Sequence, residues 1–198
     1  MRKAWLFLGL FALMALPAMA QEGAPKAEVY VGYAYGRINP GLEAGGNLTQ
    51  NMNGWNGSFT GNITNWFGVV GDFGGLYAHP DLGGGDVVHQ RLYTFMGGPQ
   101  ITLRHGRWTP FVHGMVGAAH VYAFLPGDSV TRNSLAVAAG GGVDVHASKR
   151  VSVRLFQADY VLTRFPTVDA SSNTVGASQH NVRVSAGVLF LFGRFFGR

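Results

Sequence analysis

Asn181-Val182-Arg183-Val184-Ser185-Ala186-Gly187-Val188-Leu189-Phe190-Leu191-Phe192 alternates with a period of two. Val182, Val184, Ala186, Val188, Phe190 and Phe192 form one face, and Asn181, Arg183, Ser185 and Gly187 form the other. Successive side chains of a strand point to opposite faces, so this stretch is a strand with one apolar and one polar side. A soluble barrel would turn the apolar side inward, and a membrane barrel turns it outward. The strand alone does not choose between them.

The remaining strands make the choice. Period-2 patterning places strands at 27–38, 53–63, 66–78, 88–104, 108–123, 133–146, 150–164 and 179–192. Their apolar faces are bulky: Val29, Val31, Tyr33 and Tyr35; Phe67, Val69, Phe73 and Tyr77; Tyr93, Phe95, Ile101 and Leu103. The opposite faces hold small residues with isolated charges, as in Gly32, Ala34 and Gly36, or Gly68, Asp72 and Gly74. An eight-stranded barrel has an interior just wide enough for side chains. Small residues fit that interior, and bulky apolar ones fit its convex outer surface.

The connections agree. Those at 64–65, 105–107 and 147–149 are short, and those at 39–52, 79–87, 124–132 and 165–178 are long and rich in Gly, Asn, Asp, Ser and Pro. Strict alternation of long and short is the habit of outer-membrane barrels, with short turns on the periplasmic side and longer loops outside. The expected fold is therefore all-β, an eight-stranded antiparallel up-and-down transmembrane β-barrel over residues 27–192. Aromatics near strand ends are candidates for an interfacial girdle: Tyr35, Trp55, Trp66, Tyr77, Tyr93, Trp108, Tyr122 and Tyr160.

Residues 1–20 read as a cleaved signal peptide. Arg2 and Lys3 lead an apolar run from Ala4 to Leu16, and Ala18 and Ala20 supply the small-x-small cleavage pattern. The run is too short for the roughly 20 residues of a spanning helix. Residues 21–26 form a short linker and 193–198 a C-terminal tail. The expected destination is the bacterial outer membrane.

Composition bounds the chemistry. Charged residues are 13% and Gly numbers 30 of 198, which does not suit disorder. There is no Cys, so disulfides and thiolate metal sites are excluded. The net charge is +5, and without Arg2 and Lys3 there remain 13 basic against 10 acidic residues. No dense Lys/Arg cluster calls for nucleic acid.

Inward parity falls on Glu28, Asp72, Gln100, Arg104, His113, Asp144, Asp159 and Arg183, with Gln157 among them. Strand seven obeys no single parity. A bulge near Leu155–Phe156 reconciles its halves and turns Arg154 inward near Asp159. Buried charge is costly unless paired, so these residues are expected to form an ion-pair network that plugs the lumen.

The pattern as a whole, and Ser185-Ala186-Gly187-Val188-Leu189-Phe190-Leu191-Phe192 in particular, resembles the small eight-stranded outer-membrane barrel family. That family includes the barrels of outer membrane protein A and outer membrane protein X. The resemblance implies that Ser185, Gly187, Phe190 and Phe192 form the signal read by the barrel assembly machinery. Family members often stop at the terminal aromatic, whereas six residues follow here.

No catalytic, cofactor or metal site is expected. None of the seven His is followed by Ser, so the His-Ser pair of lipid-deacylating barrels is missing. His113 and His120 have opposite parity on one strand, and His79, Asp86 and His89 only flank a loop. The Gly runs at 83–85 and 140–142 precede no helix and no Gly-Lys-Ser/Thr ending. The expected role is structural or surface-interacting, with outer-membrane lipid as a partner and the exposed loops open to a ligand. Small-molecule passage or binding, and a lipid-modifying activity, are the alternatives.

Overall fold

The computed structural model describes residues 24–38, 50–78, 89–125, 128–168 and 174–193. It holds eight strands: β1 (Ala27–Ile38), β2 (Gln50–Asn62), β3 (Phe67–Ala78), β4 (His89–Thr102), β5 (Trp108–Leu125), β6 (Asp128–His146), β7 (Val151–Val168) and β8 (Thr174–Phe192). Each pairs antiparallel with its chain neighbours, and β1 closes on β8 from Ala27↔Phe192 to Arg37↔Val182. The result is a closed eight-stranded antiparallel barrel. Closure matters because a sheet edge left in hydrocarbon would expose backbone polar groups with no water to satisfy them.

The short turns follow local chemistry. At the first, Thr64 Oγ1 accepts the Phe67 amide at 3.0 Å. At the second, Gly106 adopts φ 59°, a left-handed conformation that side chains disfavour. At the third, Ser148 Oγ accepts the Val151 amide at 3.1 Å.

Two expected loops are mostly strand. β5 runs on to Leu125 and β6 resumes at Asp128, where 124–132 is expected as loop; β7 and β8 likewise extend into 165–178. The hairpin ladder continues there, down to Leu125↔Asp128 and Val168↔Thr174. Alternation marks a strand only where its two faces meet different media. Backbone pairing by itself needs no apolar alternation, so the ladder persists there without that sequence signature. Expected loop residues 39–49 and 79–87, the leader and residues 194–198 lie outside the described residues.

The outer wall is apolar on every strand: Val31, Phe59, Phe73, Phe95, Val112, Leu135, Leu155 and Val184 are all exposed. A belt of this extent, from all eight strands, far exceeds the apolar patches that water-soluble monomers carry. Phe73 and Phe95 meet edge to face at 5.9 Å on this wall. Of the girdle candidates, Tyr35, Trp55, Trp66, Trp108 and Tyr160 are exposed and Tyr77, Tyr93 and Tyr122 half-buried. Trp55 Nε1 donates to Tyr77 Oη at 3.2 Å, which joins two of them across β2 and β3.

The bulge lies at Leu155–Phe156. Arg154 faces Gly187 and Gln157 faces Ser185, so two residues of β7 oppose one of β8. Both Leu155 and Phe156 are exposed, and the parity of β7 switches between them.

Candidate functional site

The lumen is layered along the barrel axis. Nearest the short turns, Glu28 Oε1 accepts from Arg104 Nη2 at 2.6 Å and from Asn62 Nδ2 at 2.7 Å. Arg104 stands two residues beyond the end of β4, half-buried, and also donates to the Asn65 carbonyl. On the opposite wall His146 lies 2.7 Å from Ser152 Oγ and 3.2 Å from Thr109 Oγ1. Ser152 is fully buried, so this pair ties strand ends together and presents no nucleophile to a substrate.

The middle layer is one connected network. Arg154 holds Asp144 with two hydrogen bonds, Nε at 2.7 Å and Nη2 at 3.0 Å. This fork geometry is what a guanidinium offers a carboxylate. Arg154 Nη1 donates to Gln157 Oε1 at 2.6 Å, and Gln157 Nε2 donates onward to Asp159 Oδ2 at 2.8 Å. Arg183 donates to the same Oδ2 at 2.7 Å, and His113 Nε2 donates to Asp159 Oδ1 at 2.8 Å. Arg183 Nη1 also lies 2.8 Å from Asp72 Oδ1. That contact is an ion pair at an angle outside directed hydrogen bonding. Asn56 Nδ2 completes Asp72 at 2.9 Å.

All these residues are buried. The effective penalty for burying an ion is several kcal/mol, repaid only when remaining polar atoms are also satisfied. Asp159 meets that demand with His113, Gln157 and Arg183 around it. Gly140 makes room for it: a Cβ there would stand 2.2 Å from Asp159 Oδ1. Gln100 is buried on β4 and donates to Thr102 Oγ1 at 3.2 Å, apart from the central network.

Sequence parity leaves Tyr30 unremarked, yet among the described residues it is the largest fully buried side chain. The Arg154 guanidinium is sandwiched between its ring, at 4.4 Å, and that of Phe111, at 4.1 Å. Cation–π stacking of this kind favours arginine over lysine. The inward parity of Tyr30, shared with Glu28, is the signal that locates it. Its size hides it, because bulky side chains are expected outside.

The apolar part of the lumen departs from the expectation that inward faces hold only small or charged residues. Met52, Leu76, Leu92, Met96, Met115 and Val161 pack there with Ala34, Ala119, Ala136 and Ala138. The alanines and glycines of some strands leave space that methionine and leucine from others fill. Polar network and apolar cluster both lie buried in the lumen.

The terminal strand divides as its alternation requires. Ser185 is buried and reaches Asn56 Oδ1 at 3.4 Å, and a Cβ on Gly187 would meet the Val31 carbonyl at 2.3 Å. Phe190 and Phe192 are exposed on the outer wall near the short-turn end. Ala18, Ala20, His79 and Asp86 lie outside the described residues. Among the described residues, no three His, Asp or Glu side chains converge as a metal site would require.

The family model for the outer membrane protein β-barrel domain matches residues 8–190. Among solved structures, the chain is similar to Ail, the attachment invasion locus protein of Yersinia pestis, in complex with the heparin analogue sucrose octasulfate. The identity is 21% and the TM-score 0.57, covering 84% of this chain and 99% of Ail. It is also similar to Neisserial surface protein A, at 15% identity and TM-score 0.64, covering 86% of this chain and all of the other. These likenesses concern the fold. No curated protein matches the chain.

Proposed function

Because the chain belongs to the outer membrane protein β-barrel family, we propose that it is a non-catalytic barrel of surface-interaction type. The observation that carries this reading is the burial of paired charges across the lumen. Asp72, Asp144, Asp159, Arg154 and Arg183 are paired with one another, and Met and Leu side chains pack in the lumen with them. A filled cylinder offers no aqueous path, so its functional surface is its outside. The long connections and the extended β5–β6 and β7–β8 hairpins supply that surface, opposite the short turns. Loops of this kind vary freely on a rigid scaffold.

The same reading has residues 1–20 removed after Ala20 on export and 21–26 left as a linker, with the barrel from 27 to 192. Ser185, Gly187, Phe190 and Phe192 act as the signal for the assembly machinery. Ail is solved with a sulfated sugar bound, and a polyanionic partner at the exposed end is the corresponding proposal for this chain.

Cell fractionation with protease treatment of intact cells tests it. The expected result is outer-membrane residence, a mature chain starting at Gln21, and cleavage within 39–49 or 79–88. A processed chain that stays monodisperse in plain buffer would overturn the reading.

A further inference from the structure

Beside the ion network the lumen keeps a recess. Ile38 at the end of β1, Leu76 on β3, Leu92 on β4 and Val161 on β7 form its apolar walls, and Arg183 and Thr94 give it a polar edge. Leu76 and Leu92 stand opposite each other in register, as do Val161 and Asn181. The four apolar positions lie in the halves of their strands away from the short turns. The recess is partly open, and its cavity volume is about 20 Å³, room for one water-sized group with every side chain in place.

Arg183 is buried, and its three nitrogens are used unequally. Nε donates to Asp159 Oδ2 at 3.0 Å and Nη2 donates to the same oxygen at 2.7 Å. Nη1 lies 2.8 Å from Asp72 Oδ1 as an ion pair, yet it makes no directed hydrogen bond. It stands on the Thr94 side of the guanidinium: a Cβ on Gly74 would lie 2.9 Å from Nη1 and 2.8 Å from Thr94 Oγ1. The missing side chain of Gly74 keeps this donor uncovered beside the recess. A buried donor without an acceptor costs free energy that a bound acceptor recovers.

The surroundings define what that acceptor can be. Asp72 and Asp159 already balance the guanidinium. A carboxylate would bring an uncompensated negative charge into the lumen, and an ammonium would be repelled by the guanidinium. A water molecule needs about two to four polar partners, and the walls here are aliphatic. We propose that this recess binds a short uncharged amphiphile. Its acceptor oxygen takes the Arg183 Nη1 hydrogen, and its alkyl chain lies against Ile38, Leu76, Leu92 and Val161. A primary alcohol is the simplest member of that class. The inference goes beyond the surface role given above. The paired charges bound the recess, so binding needs no path through the barrel.

Solution NMR of the mature protein in lipid nanodiscs tests it, with n-butanol, butyrate and butylammonium each titrated alone. The signals followed are the guanidinium Nε of Arg183 and the methyl groups of Leu92 and Val161. The expected result is a saturable shift of both sets with n-butanol, and binding at least about tenfold weaker for either ion. Gly74→Ala sets a methyl group against Nη1, and Leu92→Phe fills the recess with a larger side chain. Each should weaken n-butanol binding by about tenfold. Val116→Ala, on the outer wall, should leave the titration unchanged. A heat-dependent shift in electrophoretic mobility confirms that each variant is folded. Shifts that rise linearly and persist in Gly74→Ala and Leu92→Phe would overturn the proposal, since they report partitioning into the bilayer only. Equal binding of butyrate would overturn it too. So would the absence of any Arg183 shift with n-butanol, which would leave the recess to water.

Discussion

At the scale of single residues, Arg183 concentrates the most interaction. It is the shared cation of Asp72 and Asp159, and its removal leaves two carboxylates in a closed interior. Breaking a buried pair by removing one partner costs about 3–5 kcal/mol. Arg183→Ala should lower unfolding stability in detergent by that order, read from denaturant titration of tryptophan fluorescence. An unchanged transition would contradict the pairing. Gly140→Val is a complementary test, because a Cβ there would stand 2.2 Å from Asp159 Oδ1 and 2.4 Å from the Ala158 carbonyl, pressing on both the carboxylate and its strand. It should destabilise without changing any charge. Arg183 was legible from parity alone, and Asp159 from parity once a bulge divides β7. Tyr30 was not, since parity gives direction but not which bulky side chain the lumen accommodates. Arg154 was legible as inward, but its direct partner is Asp144, with Gln157 relaying to Asp159. Partner choice depends on inter-strand register across the bulge, which no single strand contains.

At the scale of elements, β7 shows how one extra residue rescues a strand. Val151, Val153 and Leu155 alternate on one parity, and Phe156, Ala158, Tyr160 and Leu162 on the other. The bulge keeps both sets outside while Arg154, Gln157 and Asp159 stay within. Deleting Leu155 removes the bulge and preserves both parities. That variant should still show the heat-dependent mobility shift of a folded barrel, at a stability cost of about 1–3 kcal/mol. Inserting one Ala after Gln157 instead sends Asp159, Val161 and Thr163 to the lipid side, since a one-residue slip reverses every side chain beyond it. That variant should lose the shift altogether. The bulge was legible because the parity conflict was local. The lengthened β5–β6 and β7–β8 hairpins were not, because backbone pairing by itself imposes no apolar alternation.

At the scale of the whole molecule, the barrel reverses the arrangement of a soluble protein: ion pairs inside, aromatic and aliphatic side chains outside. Val116 lies near the middle of β5 and is exposed. Val116→Lys should lower stability in liposomes by about 2–4 kcal/mol, the cost of a cation at the bilayer midplane. The same substitution in a water-facing wall would be nearly neutral, so folding titrations in lipid distinguish the two. The filled lumen also predicts the absence of a sustained open conductance in planar bilayers.

The sequence by itself determined the strand count, the short turns and which face of each strand meets lipid. Those properties are local: alternation of apolar and polar residues, and turn chemistry, are written in consecutive residues. Only the tertiary structure decided which lumen charges meet, that Met and Leu fill the space beside inward Ala and Gly, and that Tyr30 and Phe111 enclose Arg154. Those outcomes depend on register between strands and on the curvature of a closed barrel, which bring together residues such as Asp72 on β3 and Arg183 on β8.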